Sequence, residues 1–421
     1  NRKNLTAAVL AGLAGVAGIA GSAQAVNLNP DGLGQVLIYP YYTTNGGNTT
    51  LLSVVNTTGE AKAVKVRFTE GLNTREVLDF NLYLSKYDVW TAALYNADGT
   101  PTLRTGDTSC TVPYIYGNGG TQAFLPYALV DGGSVDIART AEGHFEMIEM
   151  GTVMDDMSEI VDASGNPTGK FEPTNGSEAA ITHVDGVPGD CQQLVDAWTW
   201  EDTLDPDTKG YWLDDPFSDM EAPSGGLFGG AAVVNVQAGT MYSYDAKAID
   251  DFATDVDAND VLHQEPGRVL PSLNSGNVTD AVVFAAGQIW PSVGLTRGVD
   301  AVSYAFMHDQ IMNEYTTESA VSAATEWVVT FPTKHFYVYE PSSTSDDPIA
   351  PFTTVWDYTA PSKDASGNVV PAVLELPCEV VNLNTIWDRE ERTLPGPDDP
   401  VGGNLPPIVS PAPPVIPGPG P

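Results

Sequence analysis

The feature that most restricts this chain is a hydrophobic alternation with a period of two. Val64, Val66 and Phe68 alternate with Lys65 and Arg67, and Leu78, Phe80, Leu82 and Leu84 alternate with Asp79, Asn81 and Tyr83. Successive side chains of a strand point to opposite faces, so such runs read as strands with one buried face. The same reading applies to 35–42, 50–56, 144–153, 231–237, 301–306, 327–331, 335–339 and 369–376. Turn chemistry separates these runs. Asn45, Gly46, Gly47 and Asn48 accept the positive φ of a tight turn, and the pentapeptide DASGN at 162–166 recurs at 364–368 as a second loop of the same type. With 41 Gly and 32 Pro, helices are expected only as short pieces, at 192–198 and 245–252. The expected fold is all-β: an antiparallel immunoglobulin-like β-sandwich with a long loop-rich insertion. Its core should hold Val64, Val66, Phe68, Leu78, Phe80, Leu82, Leu84, Trp327, Val329 and Phe331.

The chain subdivides by composition. Residues 26–392 form the sandwich domain, interrupted at 155–228 by an acidic stretch rich in Asp-Pro turns. Residues 393–421 are Pro/Gly-rich without alternation and read as an extended spacer or a truncated tail. Residues 1–25 read as a signal peptide. Arg2 and Lys3 precede a 16-residue apolar run at 5–20, and Ala23 and Ala25 frame a small-x-small cleavage site. The alternative, a membrane anchor, is disfavoured because the run falls short of the ~20 residues that span a bilayer. A secreted or outer-surface protein beginning at Val26, with no integral membrane segment after cleavage, is the expectation.

Charge narrows the partners. The chain has 55 acidic and 18 basic residues, a net charge of −37 that becomes −39 without Arg2 and Lys3. Such a surface repels nucleic acid and anionic lipid. It suits an ion-rich exterior, where salt screens self-repulsion, or a surface that gathers divalent cations. Cysteine usage fits an oxidising compartment. Of Cys110, Cys191 and Cys378, the first two lie in turn-rich polar settings and are expected to pair, which leaves Cys378 for a partner outside this sequence.

No motif in the chain announces catalysis. There is no Gly-x-Ser-x-Gly elbow and no His-Glu-x-x-His, and the five histidines are scattered. No organic cofactor is implied. Calcium is the metal the chain best suits: Asp255, Asp257, Asn259 and Asp260 supply closely spaced hard oxygens, although the sixth and twelfth loop positions lack the Gly and Glu of a helix-loop-helix site. Aromatics offer a different chemistry. Tyr41, Tyr42, Trp198, Trp200 and Trp212 are candidates for stacking on sugar rings if they lie exposed.

Three segments together carry a resemblance: GQVLIYPYY at 34–42 with SVVNT at 53–57, GHFEMIEMG at 143–151, and EWVVTFPTK at 326–334 with FYV at 336–338. The chain resembles, over residues 33–390, a group of uncharacterised secreted or cell-surface proteins of proteobacteria. That resemblance implies export and a surface location, and brings no activity and no site residues.

The leading functional expectation is a non-enzymatic surface or matrix protein that assembles with itself or with other surface components. Strand addition at an open sheet edge would join the subunits, with 26–42 as the donor segment. The runner-up is a carbohydrate-binding or adhesion module, and a carboxylate-dependent secreted hydrolase is third.

Overall fold

A computed structural model describes residues 24–130, 133–199, 210–254, 260–285, 288–308, 311 and 327–338, with short strand pieces between 357 and 394. The chain divides into two compact units, the first ending at His335. Among the described residues of the second unit are three short antiparallel pairs: Asp357–Thr359 with Val373–Glu375, Ser362–Lys363 with Val369–Val370, and Ile386–Trp387 with Thr393–Leu394.

The first unit is a β-structure of two antiparallel sheets packed on one another. Its opening strands are β1 (Asn27–Leu28), β2 (Val36–Thr43), β3 (Thr49–Asn56), β4 (Ala61–Glu70), β5 (Glu76–Leu84) and β6 (Val89–Ala97). There follow β7 (Thr100–Arg104), β8 (Cys110–Val112), β9 (Thr121–Ala123) and β10 (Glu142–Val153). The acidic region contributes β11 (Met157–Val161), β12 (Pro167–Pro173), β13 (His183–Val184), β14 (Val187–Pro188) and β15 (Met220–Glu221), with helices α1 (Ser177–Ile181), α2 (Cys191–Asp196) and α3 (Tyr211–Asp214). After it come β16 (Leu227–Asn235), β17 (Thr240–Asp245), β18 (Lys247–Asp250), β19 (Ala281–Ala285), β20 (Gln288–Ser292) and helix α4 (Gly298–Ala305). The larger sheet runs β1-β18-β2-β10-β4-β5-β8, with β15 added beside β10; the smaller runs β17-β16-β3-β6-β7-β9.

The alternating residues do what their pattern demands. Val64, Val66, Phe68, Leu78, Phe80, Leu82 and Leu84 of the larger sheet enter one core with Leu52, Val54, Trp90 and Leu94 of the smaller. Each such large side chain, once buried, contributes roughly 1.5–3 kcal/mol. Tyr39, Phe68 and Phe145 stack through the centre, and Trp90 meets Phe80 edge-on. Glycine is required where the Tyr39 side chain of the larger sheet reaches β16 of the smaller. A Cβ at Gly229 would sit 1.9 Å from the Tyr39 hydroxyl, which donates to the Ser53 carbonyl at 2.8 Å. The β2–β3 turn uses Gly46 and Gly47 at positive φ, as its sequence requires. The β11–β12 hairpin turns on the first DASGN loop, where Asp162 accepts from the amides of Ser164 and Asn166. The second copy of that loop lies outside the described residues.

Several expectations are corrected here. Residues 26–42 are not a free donor segment, because β2 is a central strand hydrogen-bonded on both sides, to β10 and β18. The expected helix at 245–252 holds strand β18, because pairing with β1 and β2 overrides its local pattern. The expected strand at 301–306 is instead α4, whose Asp300 side chain accepts from the Arg297 amide at 3.0 Å and caps the first turn. Residues 327–331 carry no strand; Trp327 and Val329 are exposed rather than in the core, and Phe331 is only half-buried. The start of the expected strand at 335–339 is a helical turn, His335–Val338. The helix expected at 192–198 is found as α2.

Candidate functional site

The smaller sheet ends in an unusual edge. A sheet edge presents unpaired backbone donors and acceptors, and proteins normally blunt it by shortness, lysine or proline. Three of the four edges of the two principal sheets are blunted by shortness: β1, β8 and β9 have two or three residues each. The fourth, β17, has six residues, Thr-Met-Tyr-Ser-Tyr-Asp, with neither Pro nor Lys. β16 pairs with it from Gly230 to Asn235, so its other side is open among the described strands. Met241 and Tyr242 are exposed.

The open edge continues into a face without charge. Apart from Asp245 at its end, no residue of β17, β16, β3 or β6 is ionisable as acid or base, except tyrosine. In a chain of net charge −37 this is a local gap in the repulsive field. Leu51, Val89, Phe228 and Met241 are exposed here. The surface suits contact with another neutral backbone edge.

The outer face of the larger sheet is the opposite case, charged yet sealed. Lys65, Arg67, Asp79, Asn81 and Glu146 alternate with core residues and would meet water if nothing covered them. The segment 261–272 lies across them. Asn81 Nδ2 donates to the Gln264 carbonyl at 2.9 Å, Lys65 Nζ to that of Arg268 at 2.9 Å, and an Arg67 guanidinium nitrogen to that of Pro271 at 2.8 Å. The Gly267 amide donates to Asp79 at 2.8 Å. Arg67 also pairs with Glu76 at 2.8 Å and Glu146 at 3.1 Å. Burial pushes the Glu146 carboxyl up, opposed by Arg67, and pushes the His144 imidazole down to about 4, with Arg67 adding to the effect.

A second buried pair lies on the core side of the same strands. Lys62 Nζ meets Glu149 Oε1 at 2.7 Å with both side chains fully buried. The amides of Ser224 and Gly225 donate to the two oxygens of Glu149 at 2.9 and 2.8 Å, which ties the approach to β16 to the sheet. Burial raises the Glu149 carboxyl, and Lys62 opposes that shift. Replacing Lys62 by Met should therefore destabilise the fold by about 3 kcal/mol at neutral pH, because an uncompensated carboxylate is left buried. Without Lys62 the carboxyl rises further and the folded state takes up a proton more readily, so the deficit should shrink as pH falls. Urea unfolding of the Lys62→Met variant at pH 7 and pH 5 measures both; an equal deficit at the two values would contradict this account.

The residues singled out by the sequence separate in the structure. Cys110 and Cys191 form a disulfide, with Cα atoms 5.1 Å apart, joining β8 to the first residue of α2. Cys378 and Trp200 lie outside the described residues. The proposed sugar platform loses three members to the interior. Tyr42 is buried edge-on against Phe68 and Phe124, its hydroxyl donating to the Thr140 carbonyl. Trp198 and Trp212 are buried with Tyr83 and His263 beneath the acidic region, because that region packs a core of its own against the sheet. Tyr41 is half-buried and donates to Glu142 at 3.1 Å. Of the calcium candidates, Asp255, Asp257 and Asn259 lie outside the described residues. Asp260 accepts from Thr254 and from Asn277 Nδ2 at 2.7 Å. Among the described residues no group of three or more His, Cys, Asp or Glu is placed to hold a metal ion.

Scattered residues also converge where no motif pointed. Ser85, Asp88 and His183 meet, with the Ser85 hydroxyl 2.9 Å and the Asp88 carboxylate 3.5 Å from His183 Nδ1. A nucleophilic relay needs the carboxylate on one ring nitrogen and the hydroxyl on the other. Here both face the same nitrogen, so the cluster is a polar clasp between the β5–β6 turn and β13. The open edge at β17 was also missed, since only 231–237 was read as strand there. Its signal in the sequence is the uncharged run at 227–244. No helix among the described residues is long and apolar enough to cross a membrane.

No family model, no curated protein and no solved structure matches this chain.

Proposed function

We propose that this is an exported, non-enzymatic surface or matrix protein whose subunits join by β-strand addition, with β17 as the joining edge. The observation that carries the reading is the six-residue open edge of β17, continuous with a four-strand surface almost free of charge. The partner is a second copy. Two β17 strands pairing antiparallel about a twofold axis would extend the smaller sheet from one molecule into the next. Strong like charge elsewhere opposes close approach, so contact is favoured where charge is lowest. The immunoglobulin-like sandwich, the secreted location and the resemblance to surface proteins of proteobacteria belong to this proposal. Nucleic acid is not a partner in it.

Sedimentation and electron microscopy of the chain starting at Val26, with and without calcium, test the reading. Dimers are expected at raised salt, where screening weakens repulsion. Ser243→Lys, which places a charge on the edge strand, should return the protein to monomer with an unchanged circular dichroism spectrum. A wild-type protein that stays monomeric at all concentrations and salts would overturn it.

A further inference from the structure

We propose that Lys65 and Asp79 become joined by an amide bond between Lys65 Nζ and Asp79 Cγ. The two residues sit diagonally across neighbouring strands: Lys65 is opposite Asn81, and Asp79 is opposite Arg67. Diagonal neighbours of this kind are within reach for long side chains. Lys65 Nζ contacts Asp79 Oδ2 directly, and the two side chains are only 1% and 5% exposed. The covering segment keeps water out and fixes both partners. It accepts a hydrogen bond from Nζ at the Arg268 carbonyl, and it donates one to Asp79 Oδ2 from the Gly267 amide.

The chemistry needs an uncharged amine, a polarised carboxyl and a proton relay. Burial lowers the Lys65 ammonium against the opposing influence of Asp79, which raises the share of free amine. The Gly267 N–H is placed to stabilise charge developing on Oδ2 as Nζ adds to Cγ. Glu76 is assigned as the relay: Arg67, which lies opposite Asp79 in the strand register, holds the Glu76 carboxylate at 2.8 Å on the same covered face. In the step, one N–C bond forms and the bond from Cγ to the other oxygen, Oδ1, breaks. The two protons given up by the ammonium end on that oxygen, which leaves as water, and Glu76 returns to its starting state. No oxidant or reductant is consumed. A neutral amide also removes two buried charges whose desolvation opposes folding.

The Lys62–Glu149 pair is the internal contrast. Backbone amides hold each of its carboxylate oxygens, so it is stabilised as a carboxylate and should stay an ion pair.

Mass spectrometry of the reduced, trypsin-digested full chain decides the matter. The amide blocks cleavage after Lys65, so a branched species is expected: residues 63–67 linked to residues 76–86, lighter than their sum by one water. Recovery of residues 63–65 as a free peptide, with residues 76–86 unlinked, would overturn the proposal whatever any variant does. Glu76→Gln, checked for folding by circular dichroism, should lose most of the branched species. Undiminished cross-linking in that variant would overturn the relay role of Glu76.

Discussion

Between pH 7 and pH 4 the protein is expected to lose about 3 kcal/mol of stability through His263 alone. The imidazole is fully buried, and burial pushes it down to about 4 against a partial opposing effect of the Pro216 carbonyl. Its surroundings explain the shift. Trp198 Nε1 donates to the Tyr83 hydroxyl at 3.1 Å, and that hydroxyl lies 3.0 Å from His263 Nε2. His263 Nδ1 lies 2.7 Å from the Pro216 carbonyl. These contacts assign the Nδ1–H tautomer, with Nε2 accepting from Tyr83. A second proton would have to enter at Nε2 and displace that donor, in a cage closed by Trp198 and Trp212. Because the folded value lies below the unfolded one, the stabilisation is complete above about pH 6.5 and is lost as pH falls towards 4. His144, held down to about 4, and His335, held down to about 3, act in the same direction. Glu76, Glu146 and Glu149, raised by burial, act in the opposite one. The test is therefore a difference. His263→Gln should flatten the decline of urea-unfolding free energy between pH 7 and pH 4 relative to wild type. Parallel declines in the two proteins would refute the assignment.

Opening the Cys110–Cys191 bridge should cost about 4 kcal/mol, given a sequence separation of 81 residues. The bond joins β8, the last strand of the larger sheet, to α2 of the acidic region. That region packs Ala180, Ile181, Leu194, Trp198 and Trp212 against Tyr83, Val112 and Met150 of the sheet. Without the tether those contacts must form at the full entropic expense of closing a long loop. A Cys110→Ser, Cys191→Ser double variant and the reduced wild-type protein should unfold at the same, lower urea concentration. An unchanged midpoint would mean that packing alone holds the region.

Alternation made the core legible. Every position from Val64 to Leu84 expected inside is inside, because a period of two states which face is apolar. The disulfide was legible from the turn-like setting of its two cysteines. What covers the polar face was not. Lys65 and Arg67 look the same in sequence whether they face water or a peptide strap, and residues 261–272 have no periodicity to mark them as one. The aromatic candidates failed for a related reason. Tyr42, Trp198 and Trp212 carry no sign of whether they are exposed, and burial with a hydrogen bond for each polar tip is the commoner solution. Short apolar runs misled in both directions. A six-residue pattern fits a strand or a helix until capping at Asp300, or pairing with β2, decides.

The strap has a consequence for the order of events during synthesis. β4 and β5 leave the ribosome nearly two hundred residues before 261–272 does, and β18, which separates β1 from β2, is almost as late. Until then Lys65, Arg67 and Asp79 remain hydrated and the larger sheet lacks one of its inner strands. The amino-terminal half therefore cannot settle on its own, and completion waits for the downstream segment.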